Sequence, residues 1–406
     1  MDWNPQYHAA SGFFHIDRRT WKVLCGVEDM NMAAAYLTIC AGTGKDNRVS
    51  RWSAVAIQKY TGLAWKRGKP AIGKLIEAGF VSVHSSSTTT RPVYVVQPFD
   101  VVLDAAHRCM SDNDQHVMKA VRRQDRLSKL KQDAERLVMR GLLWQNGTAF
   151  SADPPTLEAG GDFIWLPNTL VTGTAKGEAS PVKRLRQRRN LDALRLLVDL
   201  YHAQYLTDDG GISRKVMERT YHRKRYEHCE NRFIWGFTRG TETAYESQGS
   251  TEYFWQRETV SKHDGTQGSS PRSALWDAFS ALRTMGLLME VAHLVEHSNT
   301  DSEQIIAMAW DGQGEPLERS VAKAANAAAR RMLGDTQDDA ENADALIPVM
   351  DTLPDVQLVG IYRLRYRPHT IATLQWLRKL KNSATEWMRE YSQLAEQDRS
   401  TYAASR

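Results

Sequence analysis

The stretch Gly42–Lys45, GTGK, has the glycines and the lysine with which a phosphate-binding loop holds a nucleotide. In such a loop the residue after the lysine is Ser or Thr, whose hydroxyl binds the magnesium ion, and a further glycine opens the loop. Here Asp46 follows the lysine, and Ile39 stands at the position of the opening glycine. The sequence therefore predicts no nucleotide site at this point.

Two groups of histidines have spacings that could bind a metal ion. Residues His293–His297 contain the string H-x-x-E-H, but its two histidines reach one zinc ion only from a helix, and this segment follows Gly286 as a predicted strand. His222, His228 and Cys229 lie close in sequence without a fourth spaced ligand. No glycine elbow surrounds a serine. We therefore predict a protein that is not an enzyme, with no catalytic residue, no metal and no cofactor.

Cations on a predicted helix, roughly Trp65 to Ala78, are the clearest candidates for binding chemistry. Gly79 ends this helix, and one side of it is apolar. The apolar side consists of Ala71, Ile72, Leu75 and Ile76, and the predicted DNA-binding cations are Lys66, Arg67, Lys69 and Lys74. A recognition helix needs this division, because one face packs on the core while the other gives donors to phosphates and base edges. Trp65 either packs at the helix start, which is the favoured interpretation, or contacts a DNA sugar.

A hairpin is predicted directly after this helix. FVSVHS and PVYVVQP are strand-like runs around the polar tip SSTTTR, which ends in Arg91. Arg91 is therefore either an arginine that reaches the minor groove or the DNA backbone, or part of a solvated hairpin end.

A second group of cations is interleaved with aromatic residues. The cations predicted to bind DNA are Arg214, Lys215, Arg219, Arg223, Lys224 and Arg225, and the rings are Tyr221, Tyr226, Phe233, Trp235, Phe237, Tyr253, Phe254 and Trp255. Unpaired bases stack on rings while their phosphates meet cations, so this segment suits single-stranded DNA. The runs FIWGF and EYFWQ are also typical of strands whose rings fill the core of a hairpin. Both interpretations are open at this point.

The elements that position the first group follow a definite order. An Ala-rich helix over residues 32–41 precedes a second helix, which Ser53 caps and Gly62 ends, and then come the cationic helix and the hairpin. This is the order of a winged helix. A helix that closes on a glycine and passes into a strand occurs at residues 71–83 and again at 278–290. The repeat predicts a second winged-helix unit, the alternative being a coincidence of two common junctions.

The length of 406 residues, with 42% hydrophobic residues, predicts two or three domains. The expected fold class is α+β, mostly helical, with two winged-helix domains, a helical connector and a helical C-terminal tail. The expected ranges are an N-terminal winged-helix domain at 1–100, a helical connector at 101–144, a linker at 145–162, a second winged-helix-like domain at 163–310 with an insertion at 221–268, a flexible acidic linker at 311–345 and a helical tail at 346–406. The charged stretch of the connector is either a long exposed helix or an arm that forms a homo-oligomer.

Cysteine usage and hydropathy predict a cytoplasmic protein. The four cysteines form no C-x-x-C pair, no apolar run reaches the length of a membrane span, and the first residues lack a basic region followed by an apolar core. The formal net charge is only +5, but the cations cluster, most densely at 119–131, 183–189, 214–225 and 363–381. Each cluster suits a phosphate contact as well as a solvated helix face.

Three runs between residues 163 and 216 carry a resemblance to a known group of proteins. FIWLPNTLVTG, SPVKRLRQ and LDALRLLVDLYHAQYLTDDGGISRKV are similar to the replication proteins of pathogenicity islands and integrative elements. The predicted tandem of winged helices likewise resembles plasmid replication initiators. The resemblance implies origin binding that replicates or maintains a mobile genetic element, with double-stranded DNA, single-stranded DNA and host replication proteins as partners. The alternative is a transcriptional regulator or an accessory DNA-binding subunit of a larger complex, since winged helices serve both roles.

Overall fold

A computed structural model describes residues 12–155, 162–174, 177–205, 210–245, 271–297, 303–310, 313–334, 340, 342–367 and 370–396. The helices of these residues are α1 Arg18–Cys25, α2 Met30–Ala41, α3 Ala54–Thr61, α4 Trp65–Glu77, α5 Phe99–Arg108, α6 Asp112–Arg122, α7 Lys131–Met139, α8 Thr169–Thr172, α9 Pro181–Gln187, α10 Leu191–His202, α11 Pro271–Thr284, α12 Pro316–Leu333 and α13 Ile371–Glu396. The strands are β1 Phe13–Asp17, β2 Val49–Ser50, β3 Val81–Val83, β4 Tyr94–Val96, β5 Trp144–Asn146, β6 Ala149–Ser151, β7 Phe163–Pro167, β8 Gln204–Tyr205, β9 Gly211–Ile212, β10 Met217–Cys229, β11 Arg232–Ala244, β12 Leu288–Val295, β13 Gln304–Met308, β14 Ala345–Met350 and β15 Gln357–Leu364.

Residues 30–96, which we name the N-terminal unit, contain three helices and a hairpin in the order that the local patterns predict. The Ser53 side chain accepts a hydrogen bond from the Val55 N–H at the start of α3. Gly62 ends α3 with a φ of 68°, a left-handed conformation that favours glycine. The strands form a three-stranded sheet in the order β2-β4-β3.

Helix α2 ties the N-terminal unit to the rest of the chain. All its residues from Met32 to Ala41 are buried, so it is covered on every side rather than on one stripe. It packs against α3 and α4 within the unit and against α8, α9 and β1 outside it. The same hydrophobic core continues from Phe14 to Tyr366. The N-terminal unit therefore shares its core with the following helices.

The second half of the chain is built around a six-stranded antiparallel sheet in the order β13-β12-β15-β10-β11-β14. Helix α12 packs against both edge strands, β13 and β14, and against α13. In α13, Glu390 binds Arg232 of β11 at 2.6 Å, and the Tyr391 hydroxyl donates to the Pro348 carbonyl of β14 at 3.3 Å. The sheet is curled, and the two helices pack against both of its edge strands.

The prediction of two winged-helix domains is wrong, because residues 163–310 do not fold as a second copy. The predicted insertion supplies β10 and β11, which lie inside the curled sheet. The strand that follows Gly286 is β12, which pairs with β13 on one side and with β15 from residues 357–364 on the other, so this pair is part of the six-stranded sheet and not a separate wing. The likeness between residues 71–83 and 278–290 is a shared junction, since Gly79 and Gly286 both have a positive φ, 76° and 63°.

Other predicted segments also take a different form. The predicted flexible linker at 311–345 contains α12, whose first turn is fixed by a capping box between Glu315 and Glu318, whereas residues 335–339 of its acidic run lie outside the described residues. The predicted helical tail begins with β14 and β15. The predicted linker at 145–162 contains the β5–β6 hairpin, and the charged stretch of the connector is divided between α6 and α7. Across the ranges that the structure describes, none of the helices is both apolar enough and long enough to cross a bilayer.

Candidate nucleic-acid interface

Helix α4 presents its cations on one side and its packing surface on the other, as its sequence predicts. Gly68, Ala71, Ile72 and Leu75 are buried, and Ile76 is half-buried. The exposed cations are Lys66, Arg67, Lys69 and Lys74. No side chain caps the start of the helix at Ala64, and the positive end of the helix dipole lies beside the first of these cations.

Trp65 is exposed rather than packed at the helix start. Its exposed fraction is 48%, and the Lys69 Nζ lies 5.5 Å from its ring centre. The favoured expectation of packing is therefore wrong. The ring lies beside the cations and is accessible to a bound molecule.

Lys74 differs from the other cations of α4 because it has an acidic partner. Its Nζ binds the Asp29 carboxylate at 2.7 Å. Burial raises the pKa of Asp29, but the hydrogen bonds from Lys74 and from the Met32 and Asn31 N–H groups outweigh burial and leave that pKa lowered. Asp29 also caps α2, so Lys74 joins α4 to α2 and is the least available of the four cations.

Helix α9 brings further cations to the start of α4. The Ser180 hydroxyl donates to the Tyr60 carbonyl at 3.0 Å, and the Arg186 Nε donates to the Thr61 carbonyl at 2.7 Å. Both carbonyls are at the end of α3, whose last carbonyls have no partner within the helix. A methyl group added to Gly62 would lie 3.2 Å from the Lys183 side chain. Helix α9 therefore lies against the turn that precedes α4.

Arg67 and Arg186 are close enough to repel each other. Burial lowers the pKa of the Arg186 guanidinium, and the positive charge of Arg67 lowers it further. Within the described part of the chain, neither arginine has a carboxylate within ion-pair distance. Two like charges held together in this way favour a bound anion, which would relieve their repulsion. We name the surface formed by Lys66, Arg67, Lys69, Lys183 and Arg186 the basic face.

Arg91 lies at the tip of the β3–β4 hairpin and is exposed. Its N–H donates to the Thr88 hydroxyl at 3.0 Å, and its carbonyl accepts from the Thr88 N–H at 3.1 Å. These bonds fix the backbone of the tip. Neither of them involves the Arg91 guanidinium. Arg91 lies in the loop that joins β3 and β4 of the three-stranded sheet, into which α4 leads.

The second group of predicted DNA-binding cations is divided by the curled sheet. Arg214 is buried and pairs with Glu218 at 3.1 Å. Arg219 lies between Glu242 and Glu290. Burial in these ion pairs removes both arginines from a nucleic-acid surface.

The other four cations of this group lie nearer the surface. Arg223 is half-buried, donates to the Val356 carbonyl at 2.7 Å and lies over the Trp235 ring. Lys215, Lys224 and Arg225 are exposed. Lys224 and Arg225 lie over the rings of Tyr226 and Phe233. These three exposed cations remain candidates for a phosphate contact.

Carboxylates, arginines and tyrosines form an internal network where β10, β11, β12, β15 and α11 meet. Glu290 accepts from Arg219 at 3.0 Å and from the Tyr221 hydroxyl at 2.6 Å. Glu242 accepts from Arg283 and from the Tyr362 hydroxyl at 2.7 Å. Burial and these carboxylates raise the pKa of both tyrosines above its usual range. Each carboxylate is paired with arginines, so the network joins these elements.

The described aromatic residues of the second group belong to the core of the sheet. Trp235 and Phe237 are 7% and 0% exposed and pack with Tyr221 in one cluster. Phe233 is partly buried against the same cluster. Tyr253, Phe254 and Trp255 lie outside the described residues. Of the two interpretations of these rings, the hairpin core therefore fits the described ones.

The segments whose spacing resembles a metal site or a phosphate-binding loop form turns, strands and hydrogen bonds of the fold. Gly42–Lys45 forms the turn that ends α2. His293 is on β12, as a strand residue, and its buried Nε2 accepts from Arg363 at 2.6 Å. His228 binds Asp351 at 3.2 Å. In the ranges described above, no three His, Cys, Asp or Glu side chains are grouped so that they could hold a metal ion.

Comparison of the chain with protein-family models, with curated proteins and with solved structures finds no significant match. The resemblance of residues 163–216 to replication proteins therefore stays a prediction. The candidate interface rests on the geometry of the basic face and of the hairpin.

Proposed function

We propose that the protein binds double-stranded DNA through the basic face and the β3–β4 hairpin and has no catalytic activity of its own. The observation that carries this proposal is the convergence of cations from α4 and α9, which are far apart in sequence, on one side of the exposed helix. Closely spaced cations without acidic partners repel one another and destabilise the free protein, and bound phosphates relieve this repulsion. The division of α4 into an apolar and a cationic side suits a helix that enters a groove.

The biological role that we propose is initiation of replication, or maintenance, of a mobile genetic element through origin binding. The similarity of residues 163–216 to replication proteins of such elements supports this role. Mapping of the bound DNA across the genome tests it. Binding to direct repeats beside the gene is the expected result, whereas a single palindrome over the gene's own promoter would indicate a transcriptional regulator instead.

The basic face is tested by a triple variant, Lys66→Ala, Arg67→Ala and Lys69→Ala, which removes three exposed cations. We expect duplex affinity to fall by several kcal/mol, because each base or phosphate contact contributes about 1–3 kcal/mol. The dependence of log K on log salt concentration should also become shallower by about 0.9 for each phosphate that the variant no longer neutralises. Fluorescence anisotropy with a labelled duplex over a range of salt concentrations measures both quantities.

The matched control is Lys119→Ala, Arg122→Ala and Arg123→Ala, which removes the same charge from exposed positions at the end of α6. This control should keep both the affinity and the salt dependence. Equal losses of affinity in the two triple variants would mean that only net charge matters, and the basic face would then have no special role. Purified protein is expected to show neither NTPase nor nuclease turnover.

A further inference from the structure

The β1–β7 ribbon has an exposed face made almost entirely of rings. β1 and β7 pair with each other, with His15 opposite Trp165 and Phe13 opposite Pro167. Phe13, Phe163 and Trp165 are 43%, 36% and 45% exposed. Alternate residues of both strands, such as Phe14 and Ile164, are buried in the core, so the rings lie together on the outer side.

The rings are close to one another, and each remains partly exposed. The Phe13 and Trp165 centroids are 5.2 Å apart at 77°, and the His15 and Trp165 centroids are 4.9 Å apart at 66°. His15 and Phe163 are tilted, with centroids 4.3 Å apart. Edge-to-face packing of this kind orders the rings, and part of each ring stays exposed. Bases of a single strand stack on ordered, exposed aromatic rings.

A cleft beside the ribbon supplies hydrogen-bonding groups of the kind that base edges need. Its volume is about 200 Å³, and its lining includes His15, Phe163, Asn47, Arg48 and Gln97. The buried Nδ1 of His15 has no hydrogen-bond partner among the described residues. Burial, and then the charge of Arg48, lower the pKa of His15 and so favour its neutral ring. A second protein surface of purely apolar character would leave these polar groups unsatisfied.

Cations border the cleft, and Asp17 and Asp162 beside it are engaged, whereas Asp100, which also lines the cleft, is exposed. Arg48 is exposed, donates to the Val96 carbonyl at 3.4 Å and has no acidic partner within the ranges that the structure describes. Asp17 is held by Arg19 at 2.8 Å, and Asp162 by His202 at 2.9 Å. Arg48 can therefore meet a phosphate.

We propose that the β1–β7 ribbon and this cleft bind the unpaired bases of single-stranded DNA, with Phe13, Phe163 and Trp165 as stacking platforms and Arg48 as a phosphate contact. The cleft includes Val96 and Gln97 at the base of the hairpin that carries Arg91 at its tip. The single-strand site is thus continuous with the sheet of the proposed duplex interface, although the two sites share none of their binding residues.

The test uses Trp165→Ala and Phe13→Ala in the full chain, with a fluorescein-labelled oligo-dT of about 20 nucleotides as the probe. Each change should weaken single-strand binding by about 5- to 140-fold, from the usual 1–3 kcal/mol for each stacked base. Trp165→Phe keeps a ring and should retain most of the affinity. Leu374→Ala, at a position on α13 that is 42% exposed, is the control for truncation of an exposed apolar side chain and should bind normally.

Unchanged single-strand affinity in both ring variants would overturn the proposal. So would a loss of self-association in these variants, measured by sedimentation, with oligo-dT binding intact, because the ribbon would then contact a second copy. If Trp165→Ala fails to fold, Arg48→Ala must weaken oligo-dT binding, and normal binding would refute the site. Trp165→Ala should bind duplex DNA normally. The duplex proposal is tested separately by the triple variant of the basic face, so the failure of one proposal can be told from the failure of the other.

Discussion

Replacement of Trp235 by alanine distinguishes a core residue from a stacking platform in the aromatic part of the curled sheet. Trp235 is on β11, opposite Ile347 of β14, and is 7% exposed. The Arg223 guanidinium lies 5.1 Å from its ring centre. We expect Trp235→Ala to destabilise the protein strongly and to leave single-strand affinity unchanged.

The magnitude follows from the burial of the ring. A buried aromatic side chain removes about 150–250 Å² from water, which is about 4–6 kcal/mol at about 25 cal/mol per Å². Measured decreases in stability for tryptophan-to-alanine changes in cores are about 3–5 kcal/mol, and we take this range for Trp235→Ala. Trp235→Phe should lower the free energy of unfolding much less, because most of the ring remains. The Trp235 Nε1 is also buried without an acceptor among the described residues, and its replacement removes the cost of burying that N–H group.

Urea denaturation of the wild-type protein and both variants measures these changes in stability, with m expected to stay constant. Anisotropy with oligo-dT is then measured under conditions in which each variant is folded. A Trp235→Ala protein that kept its stability and lost single-strand affinity would refute the core role, since the ring would then contact bases rather than the core.

Two further predictions concern charge. Burial raises the pKa of Asp199 to about 6, so the folded protein holds this proton more tightly than the unfolded chain; stability should therefore fall as the pH rises from about 4 to about 6. Asp199→Asn should reduce this fall, and a pH series of thermal melts for both proteins would contradict the reasoning if the curves stayed parallel. Arg67→Ala should slightly raise the melting temperature by removing the repulsion of Arg186, while weakening duplex binding about tenfold; a lower melting temperature would mean that Arg67 stabilises the free protein.

Local patterns were sufficient for the N-terminal unit because its signals are local. The Ser53 cap, the left-handed Gly62 and the one-sided apolar rhythm of α4 each depend on residues within one or two turns. The curled sheet has no such signal. Strand β12 pairs with β15, and β11 pairs with β14 more than a hundred residues later. Alternation can predict a strand but not its partner, so the sequence predicts the wing of a repeat where the fold has a sheet of distant strands.

The residues of the candidate site likewise fall into those that local sequence predicts and those that depend on distant parts of the chain. The cations of α4 could be assigned to a solvent-facing side from helical periodicity alone. The burial of Arg219 could not be predicted, because the carboxylates that neutralise it, Glu242 and Glu290, are brought to it by other strands. Nor could Arg186 be placed beside Arg67, since about 120 residues separate them in the chain.

Helix α9 and the residue before it bind both halves of the chain. Arg186 donates to the Thr61 carbonyl in the N-terminal unit at 2.7 Å, whereas Arg184, on the same short helix, donates to the Met285 carbonyl beside the curled sheet at 2.5 Å. Glu178, just before the helix, binds Arg184 at 3.4 Å and Arg365 after β15 at 3.2 Å. The acceptors of these charged hydrogen bonds are backbone carbonyls and a carboxylate. Such bonds depend more strongly on orientation than apolar contacts do. The basic face is therefore oriented by the curled sheet as well as by its own helices.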